Sequence, residues 1–312
     1  MDTVIREIKT KNVITKTDVP VCDCAVNPYV GCTHACKYCY ACFMKRFTNH
    51  AEPWGGFLDV KYWEPIKNPG KYKGKELFFG TVTDPYLPQE ETYGRTRALL
   101  NELKGSGVKI SIQTKSDLVL RDTDLIKSFP DARVGFSVNT LDESFRADMD
   151  NAVSIERRLA AMKKLHGEGV RTTCFISPIF PGITDVFAII DRVKDQCNLI
   201  WLENLNLRGS YKPVITAYIK EKYPSLVPLY EEIYTYGGRE YWTELNAKLS
   251  GYCKENGLLY VRDDDLERPF DSPPAVVNFF YHEEVKKSAK KRPITPPGPR
   301  HCRCGNRFWT FR

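Results

Sequence analysis

Six short apolar runs along the first two thirds of the chain constrain its fold more than any other feature. Each run is rich in β-branched and aromatic residues and has the length of a buried strand. Helix-like segments separate the runs, most clearly residues 154–169, where Ser154 is the predicted N-cap and an apolar stripe recurs at helical spacing. The runs cover residues 24–30, 76–82, 108–114, 132–138, 170–176 and 199–205.

This alternation predicts an α/β fold. Nearly continuous apolar strands joined by helical crossovers indicate a parallel sheet covered by helices, and six such units fit a partial (β/α)6 parallel barrel. Loops that follow the carboxyl ends of the strands then form the active face. We therefore look for functional residues just after each strand.

The chain divides into three predicted regions. Residues 1–208 form the barrel. Residues 209–285 are a Tyr-rich helical C-terminal extension, packed on the barrel, with a short strand at 258–263. Residues 286–312 form a basic, Pro-rich tail, extended in its first half, that carries Cys302 and Cys304.

Composition sets the compartment but not the partner. The first 18 residues lack the apolar run of a signal peptide, and no stretch approaches the roughly 20 apolar residues of a membrane span, so we expect a cytoplasmic protein without a membrane segment. A net charge of +7 fits a nucleic acid, a phosphorylated metabolite or plain solubility. Eleven cysteines in a reducing cytosol indicate metal ligands wherever they cluster.

Cys32, Cys36 and Cys39 form a C-x3-C-x2-C motif between a predicted strand and a helix that begins near Cys39. Structural zinc and ferredoxin-type clusters take four ligands, whereas three thiolates leave one iron of a cubane open. The alternative is a small zinc site completed by His34 or Cys42.

This motif, in its strand-loop-helix setting, resembles that of the radical S-adenosylmethionine superfamily, and residues 20–210 are most similar to the branch containing spore photoproduct lyase. The resemblance implies a [4Fe-4S] cluster whose open iron binds S-adenosylmethionine. It also implies reductive cleavage of that cofactor to a 5′-deoxyadenosyl radical, which abstracts hydrogen from the substrate. A one-electron donor such as flavodoxin or ferredoxin is the implied partner.

The same resemblance implies a set of cofactor contacts at the carboxyl ends of the strands. These residues are Tyr38, Tyr40, Thr83, Asp84, Lys115, Ser137 and, through its backbone, Ile176. The two tyrosines have the alternative role of packing aromatics, and Ser137 that of an ordinary strand-end residue, whereas a buried lysine needs an anion. Three further polar residues point either to the barrel mouth or to loop hydrogen bonds: Glu203, Asn204 and Asn206.

The substrate is not legible from the sequence. The lyase carries a hydrogen-donating cysteine at the end of its second strand, where this chain has residues 81–84 and no cysteine, which argues against thymine-dimer repair. Cys174 is the candidate donor inside the barrel, with an ordinary core cysteine as the alternative. A nucleic-acid lesion lyase and a non-catalytic zinc or iron-sulfur protein that binds nucleic acid remain competing hypotheses.

A second metal site is predicted from ligand count. Cys22 and Cys24 precede the motif, and Cys302 and Cys304 lie near the end, so a tail folded back over the barrel would bring four thiolates to zinc or an auxiliary iron-sulfur cluster. The alternative is two unrelated reduced pairs. The tail's arginines and aromatic residues suit nucleic-acid contact or packing on the barrel.

Overall fold

The computed structural model describes residues 3–17, 21–262 and 275–280, which contain two β-sheets and the helices that cover them. The strands are β1 (Val4–Lys9), β2 (Ile14–Lys16), β3 (Cys24–Val26), β4 (Tyr29–Val30), β5 (Phe57–Tyr62), β6 (Glu76–Phe79), β7 (Lys109–Thr114), β8 (Asp131–Ser137), β9 (Arg171–Ile179), β10 (Leu199–Asn204), β11 (Leu259–Arg262) and β12 (Val276–Phe280).

The α-helices follow the strands in alternation over the first part of the chain and cluster after residue 208. They are α1 (Glu90–Tyr93), α2 (Arg95–Leu103), α3 (Thr123–Ile126), α4 (Glu143–Met149), α5 (Ile155–Gly167), α6 (Val186–Val193), α7 (Lys212–Lys222), α8 (Val227–Glu231) and α9 (Glu240–Glu255). Five 3-10 helices and one π-helix complete the description, at Tyr40–Phe47, Pro69–Tyr72, Asp117–Asp122, Gly209–Tyr211, Pro224–Leu226 and Glu232–Tyr236.

The large sheet has the strand order β11-β12-β10-β9-β8-β7-β6-β3-β2. Every neighbouring pair from β3 to β11 is parallel, and only β2 runs antiparallel at its edge. Right-handed crossovers through helices are the usual way to join such strands. The predicted parallel α/β fold with partial-barrel character is confirmed.

Alternation along each strand separates the two faces of the large sheet. Leu77, Ile110, Val134 and Ile200 are buried in the main apolar core between the sheet and its helices. Along each strand, the residues that alternate with these core residues face the barrel interior. Helix α5 begins as predicted, with the Ser154 hydroxyl accepting a hydrogen bond from the backbone N–H of Arg157 at 3.4 Å.

The predicted strands differ from the structure in two respects. The run at 24–30 breaks at Pro28, which has no N–H to donate, so β3 joins the large sheet while β4 pairs with β5 in the small sheet β1-β5-β4. Strands β1, β2, β5 and β12 were not predicted, and β12 lies between β10 and β11. The short C-terminal strand is present as β11, and residues 40–47 form a 3-10 helix after Cys39.

The C-terminal extension contributes helices α7 to α9, and its Ile215 joins Phe145 and Phe180 of the preceding region in a second apolar cluster. None of the helices among residues 3–17, 21–262 and 275–280 is long and apolar enough to cross a membrane. The predicted tail, with Cys302 and Cys304, lies outside the described residues. The three-region division stays a prediction.

Candidate metal centre and cofactor site

The cysteine motif occupies a tight loop between β4 and the 3-10 helix at 40–47. Gly31 opens this loop at φ +87°, and a Cβ there would come within 2.3 Å of the Phe57 carbonyl oxygen, so only glycine fits. Two turns follow, in which the backbone N–H of Ala35 donates to Cys32 O and that of Cys39 to Cys36 O, each at 3.1 Å. The turns bring the three cysteines onto one compact segment.

Backbone hydrogen bonds clamp this loop onto the last residue of α4 and the segment that follows it. The N–H of Lys37 donates to Met149 O at 2.9 Å, and the N–H of Asn151 donates to His34 O at 2.8 Å. The Thr83 hydroxyl, just beyond β6, donates to the carbonyl oxygen of Gly31. The loop is therefore fixed to the carboxyl ends of strands from two sides.

Cys32 is buried, Cys36 and Cys39 are partly buried, and the three thiols lie close enough to interact electrostatically. Burial raises the pKa of the Cys32 thiol to about 12, with the neighbouring Cys39 adding to the effect. Burial also raises the pKa of Cys36 well above its usual value, and Lys115 partly opposes that rise. Buried thiols of this kind become thiolates when a cationic centre binds them, so the donor set fits an iron-sulfur cluster.

The described side chains do not form a site for a single metal ion such as zinc. Within residues 3–17, 21–262 and 275–280 no three His, Cys, Asp or Glu side chains converge on a single ion. The ligands offered for the zinc alternative have other partners, because His34 Nε2 lies 3.0 Å from Asp84 Oδ2 and Cys42 Sγ lies 3.1 Å from Ser210 Oγ. Cubane ligands need no such convergence, since each thiolate binds a separate iron.

Asp84 joins the loop to the strand ends. Its carboxylate accepts from the Thr114 hydroxyl at 2.7 Å, the Lys115 backbone N–H at 2.7 Å and the Tyr86 backbone N–H at 2.8 Å, in addition to the contact with His34. Burial opposes ionisation, but these donors and His34 together lower the pKa of Asp84. Both oxygens are thus engaged within the protein, which gives Asp84 and Thr83 a positioning role.

Lys115 projects from the end of β7 toward the cysteines. Its Nζ lies 5.6 Å from the centre of the Tyr38 ring, over the ring face. It also lowers the pKa of Asp150, whose carboxylate is already bonded to Arg158 at 2.7 Å. The Lys115 ammonium group can therefore bind a further anion beside the cysteine loop.

A buried charge pair lies beneath this lysine, and sequence reasoning missed it. Arg158 and Asp150 side chains are each only 1% exposed. Arg158 also donates to the carbonyl oxygens of Val153 at 2.9 Å and Ser137 at 3.2 Å, while the Tyr38 hydroxyl bonds Asp150 at 3.3 Å. A signal was present, because Arg158 stands on the apolar face of α5, where a charge requires a buried partner.

Strand register arranges the interior face in layers. Ser137 of β8 pairs with Phe175 of β9, which pairs with Trp201 of β10, which pairs with Asn278 of β12. Lys115 follows β7 directly beside Ser137, so these five residues form one layer across the barrel. Predicted cofactor contacts thus stand at one side of the layer, and a tryptophan and an asparagine stand at the other.

Below this layer, Gln113 of β7 crosses toward β8 and donates from Nε2 to the Ser137 hydroxyl at 3.0 Å. Gly135 makes this crossing possible, since a Cβ there would lie 2.1 Å from Gln113 Oε1. Ser137 is therefore held on the interior face at the end of β8.

The two predicted tyrosines take different positions. Tyr38 is buried and packs edge-to-face on Phe180 with ring centres 5.6 Å apart, so it supports Lys115 from the apolar side. Tyr40 is 42% exposed, and its hydroxyl bonds the carbonyl oxygen of Thr81 beyond β6. Tyr40 therefore spans the mouth of the barrel.

Strand β9 runs on to Ile179, so Ile176 does not end the strand as predicted. Its backbone lies inside the ladder, paired with Leu202, and its side chain is fully buried in the core. Glu203 accepts from the Ser177 hydroxyl at 3.0 Å at the mouth, and Asn206 supplies a carbonyl oxygen to the Tyr211 hydroxyl. Asn204 is buried at the end of β10.

Cys174 faces the helices and not the barrel interior. It is fully buried in the same core as Cys197, whose Sγ donates to Val193 O of α6 at 3.4 Å. The interior positions of β9 are Thr173, Phe175 and Ser177. This geometry favours the core interpretation of Cys174.

Of the predicted second metal site, only Cys22 and Cys24 fall within the described residues. Burial raises the pKa of Cys22 to about 12, with Glu76 and Cys24 adding to the rise. Cys24 belongs to the main apolar core. The pairing with Cys302 and Cys304 stays a prediction.

Residues 26–188 match the family model of the radical SAM superfamily. An uncharacterised protein of Methanocaldococcus jannaschii is 37% identical over 221 residues, covering 70% of this chain and 84% of that protein. Among solved structures, a cysteine-to-serine variant of spore photoproduct lyase superposes with a TM-score of 0.59 at 15% identity, covering 88% of this chain and 82% of the lyase. Another variant, with bound S-adenosylmethionine and dinucleoside spore photoproduct, gives 0.54 at 16% identity, covering 70% and 66%.

Proposed function

Because this chain belongs to the radical S-adenosylmethionine superfamily, we propose that it cleaves S-adenosylmethionine reductively to a 5′-deoxyadenosyl radical and abstracts hydrogen from its substrate. The observation that supports this most is the cysteine loop itself. One buried and two partly buried thiols stand on a clamped loop at the carboxyl edge of a parallel sheet, with an ammonium group directed toward them. A one-electron donor such as flavodoxin or ferredoxin completes the proposal.

In this proposal Cys32, Cys36 and Cys39 hold a [4Fe-4S] cluster. When bound, the cluster and S-adenosylmethionine supply one-electron reductive chemistry. Lys115 binds the carboxylate of the cofactor, and Tyr38 keeps the lysine stem in place.

The remaining contacts divide by position. Asp84, with His34 and Thr83, holds the loop at a fixed distance from β6 and β7. Ser137 and Tyr40 border the cofactor at the mouth, whereas Ile176 is not assigned a contact, since its backbone is paired with Leu202 inside the sheet. Cys174 is not assigned as the hydrogen donor, since it packs on the helix side.

We place the substrate on the interior face of β9, β10 and β12. Three polar atoms there are buried and find no hydrogen-bond partner in the described part of the chain: Thr173 Oγ1, Trp201 Nε1 and Asn278 Oδ1. Buried polar groups without partners are costly, so their clustering beside the layer of Lys115 supports a polar ligand at this place.

The proposal is tested by anaerobic reconstitution with iron and sulfide, followed by dithionite and S-adenosylmethionine. We expect 5′-deoxyadenosine from the native chain, none from Cys36→Ala, and an undiminished yield from Cys197→Ala, whose thiol lies in the core away from the loop. A chain that binds zinc and never forms 5′-deoxyadenosine would instead be the non-catalytic binding protein.

A nucleic-acid lesion lyase is the second candidate. Its support is the likeness of fold to spore photoproduct lyase over most of the chain, together with the net positive charge. Against it, residues 81–84 contain no cysteine and Cys174 faces away from the interior. Consumption of dinucleoside spore photoproduct by the reconstituted enzyme would favour this candidate, and its persistence would leave the substrate to be found elsewhere.

A further inference from the structure

Trp54 lies behind the cysteine loop. It packs against the apolar cluster that contains Cys32, and its ring meets Phe57 edge-to-face with centres 5.8 Å apart. The next residue, Gly55, has φ +97°, and a Cβ there would lie 2.7 Å from Ala35 Cβ in the middle of the motif. The backbone around Trp54 therefore approaches the motif as closely as glycine allows.

The indole Nε1–H of Trp54 is buried and finds no acceptor among the described residues. A buried donor without an acceptor destabilises the fold, so its retention indicates a partner that binds there. The donor thus lies beside the cysteine loop, because Trp54 packs on the cluster of Cys32 and the adjoining Gly55 meets Ala35 in the middle of the motif.

We propose that Trp54 Nε1–H donates a hydrogen bond to a cysteine sulfur of the motif when the iron-sulfur cluster is bound, and that this bond raises the reduction potential of the cluster. The inference rests on the proposed function, because it needs the cluster at Cys32, Cys36 and Cys39. Trp54 is a positioning and tuning residue and takes no part in the reaction itself.

The direction follows from charge. Reduction adds one electron to a cluster whose negative charge is shared by its sulfurs, and a hydrogen bond to sulfur stabilises the more negative state. Burial strengthens this effect, since no water competes for the donor. Loss of the indole N–H should therefore make the cluster harder to reduce without removing an iron ligand.

The test is an EPR-monitored redox titration of the reconstituted enzyme and of Trp54→Phe. We expect unchanged iron content and a more negative midpoint, with about tenfold less reduced cluster at a fixed potential, which is ~59 mV for one electron. Trp63→Phe is the matched control, because the Trp63 indole already donates to Glu102 Oε1 at 3.1 Å. Equal midpoints in the native chain and Trp54→Phe would overturn the proposal.

A second variant guards against a packing defect. Replacing Trp54 by β-(3-benzothienyl)alanine keeps the shape of the ring and removes only the N–H, so the same negative shift is expected. Proton ENDOR of the reduced cluster should also lose one exchangeable coupling in this variant; retention of that coupling would assign it to another donor. A chain that assembles no cluster would refute the proposed function, whereas a cluster with an unmoved midpoint would refute the role of Trp54 alone.

Discussion

Replacing Arg158 by methionine should destabilise the fold far more than the same change at its neighbour Arg157. Arg158 is fully buried, and its guanidinium bonds Asp150 at 2.7 Å and two backbone carbonyl oxygens. Methionine fills much of the volume but leaves the Asp150 carboxylate buried without its cation. Breaking a buried pair in this way costs about 3–5 kcal/mol.

Arg157 is the matched control on the same helix. Its side chain is 61% exposed and pairs with Asp117 at 2.7 Å. Water screens such a pair and contributes most of the solvation, so Arg157→Met should cost only about 0.2–1 kcal/mol.

Urea unfolding followed by circular dichroism measures both changes. The Arg158→Met midpoint should fall well below that of Arg157→Met, and the binding of iron should weaken as well, because Asp150 adjoins the backbone clamp on the cysteine loop. Equal midpoints for the two variants would refute the claim that this buried pair holds the loop in place.

Three further outcomes are expected. Lys115→Ala should weaken S-adenosylmethionine binding about ten- to a hundredfold at unchanged iron content, since a hydrogen bond between charged groups contributes about 1.5–3 kcal/mol. Lys109→Ala, at the opposite end of β7, is the control and should bind the cofactor normally in the same calorimetric titration. Equal affinities of the two variants would reject the assignment of Lys115. Lys115 and Arg158 lower the pKa of Asp150 against the effect of burial. The ionised Asp150 therefore stabilises the fold above its unfolded pKa of ~3.9, and this stabilisation is lost as the pH falls through the folded pKa. The difference in unfolding free energy between the native chain and Asp150→Asn should shrink below about pH 4, and a constant difference would contradict this. Truncation before His301 should lower the metal content if Cys22, Cys24, Cys302 and Cys304 share an ion, and equal metal content would reject the shared site.

The parallel sheet and the cysteine loop could be predicted from the sequence because both depend on local patterns. Apolar runs at regular spacing mark buried parallel strands, and thiols at short spacing mark a metal loop. Strand β12 escaped prediction because a run of five residues, Val276–Phe280, has no periodicity that separates a strand from a loop. Its place between β10 and β11 is set by long-range pairing alone.

The individual site residues were harder to assign, because a position at a strand end does not show where the side chain is directed or which groups it bonds. Asp84 is a predicted cofactor contact, and no pattern in the sequence shows that four donors within the protein also bond its oxygens. Cys174 was a candidate donor, yet the parity of β9 turns it toward the helices. Trp54 carried no sequence signal, since its place beside the cysteine loop arises from the approach of two segments, at Gly55 and Ala35.

The central claim is that Cys32, Cys36 and Cys39 hold a [4Fe-4S] cluster with one iron open to S-adenosylmethionine. EPR of the reduced, reconstituted protein, recorded with and without S-adenosylmethionine alongside an iron count, tests it most directly. The account predicts about four irons per chain, a signal that changes shape on adding the cofactor, and loss of both in Cys36→Ala. A signal that is indifferent to S-adenosylmethionine, or a chain loaded with zinc in place of iron, would contradict it.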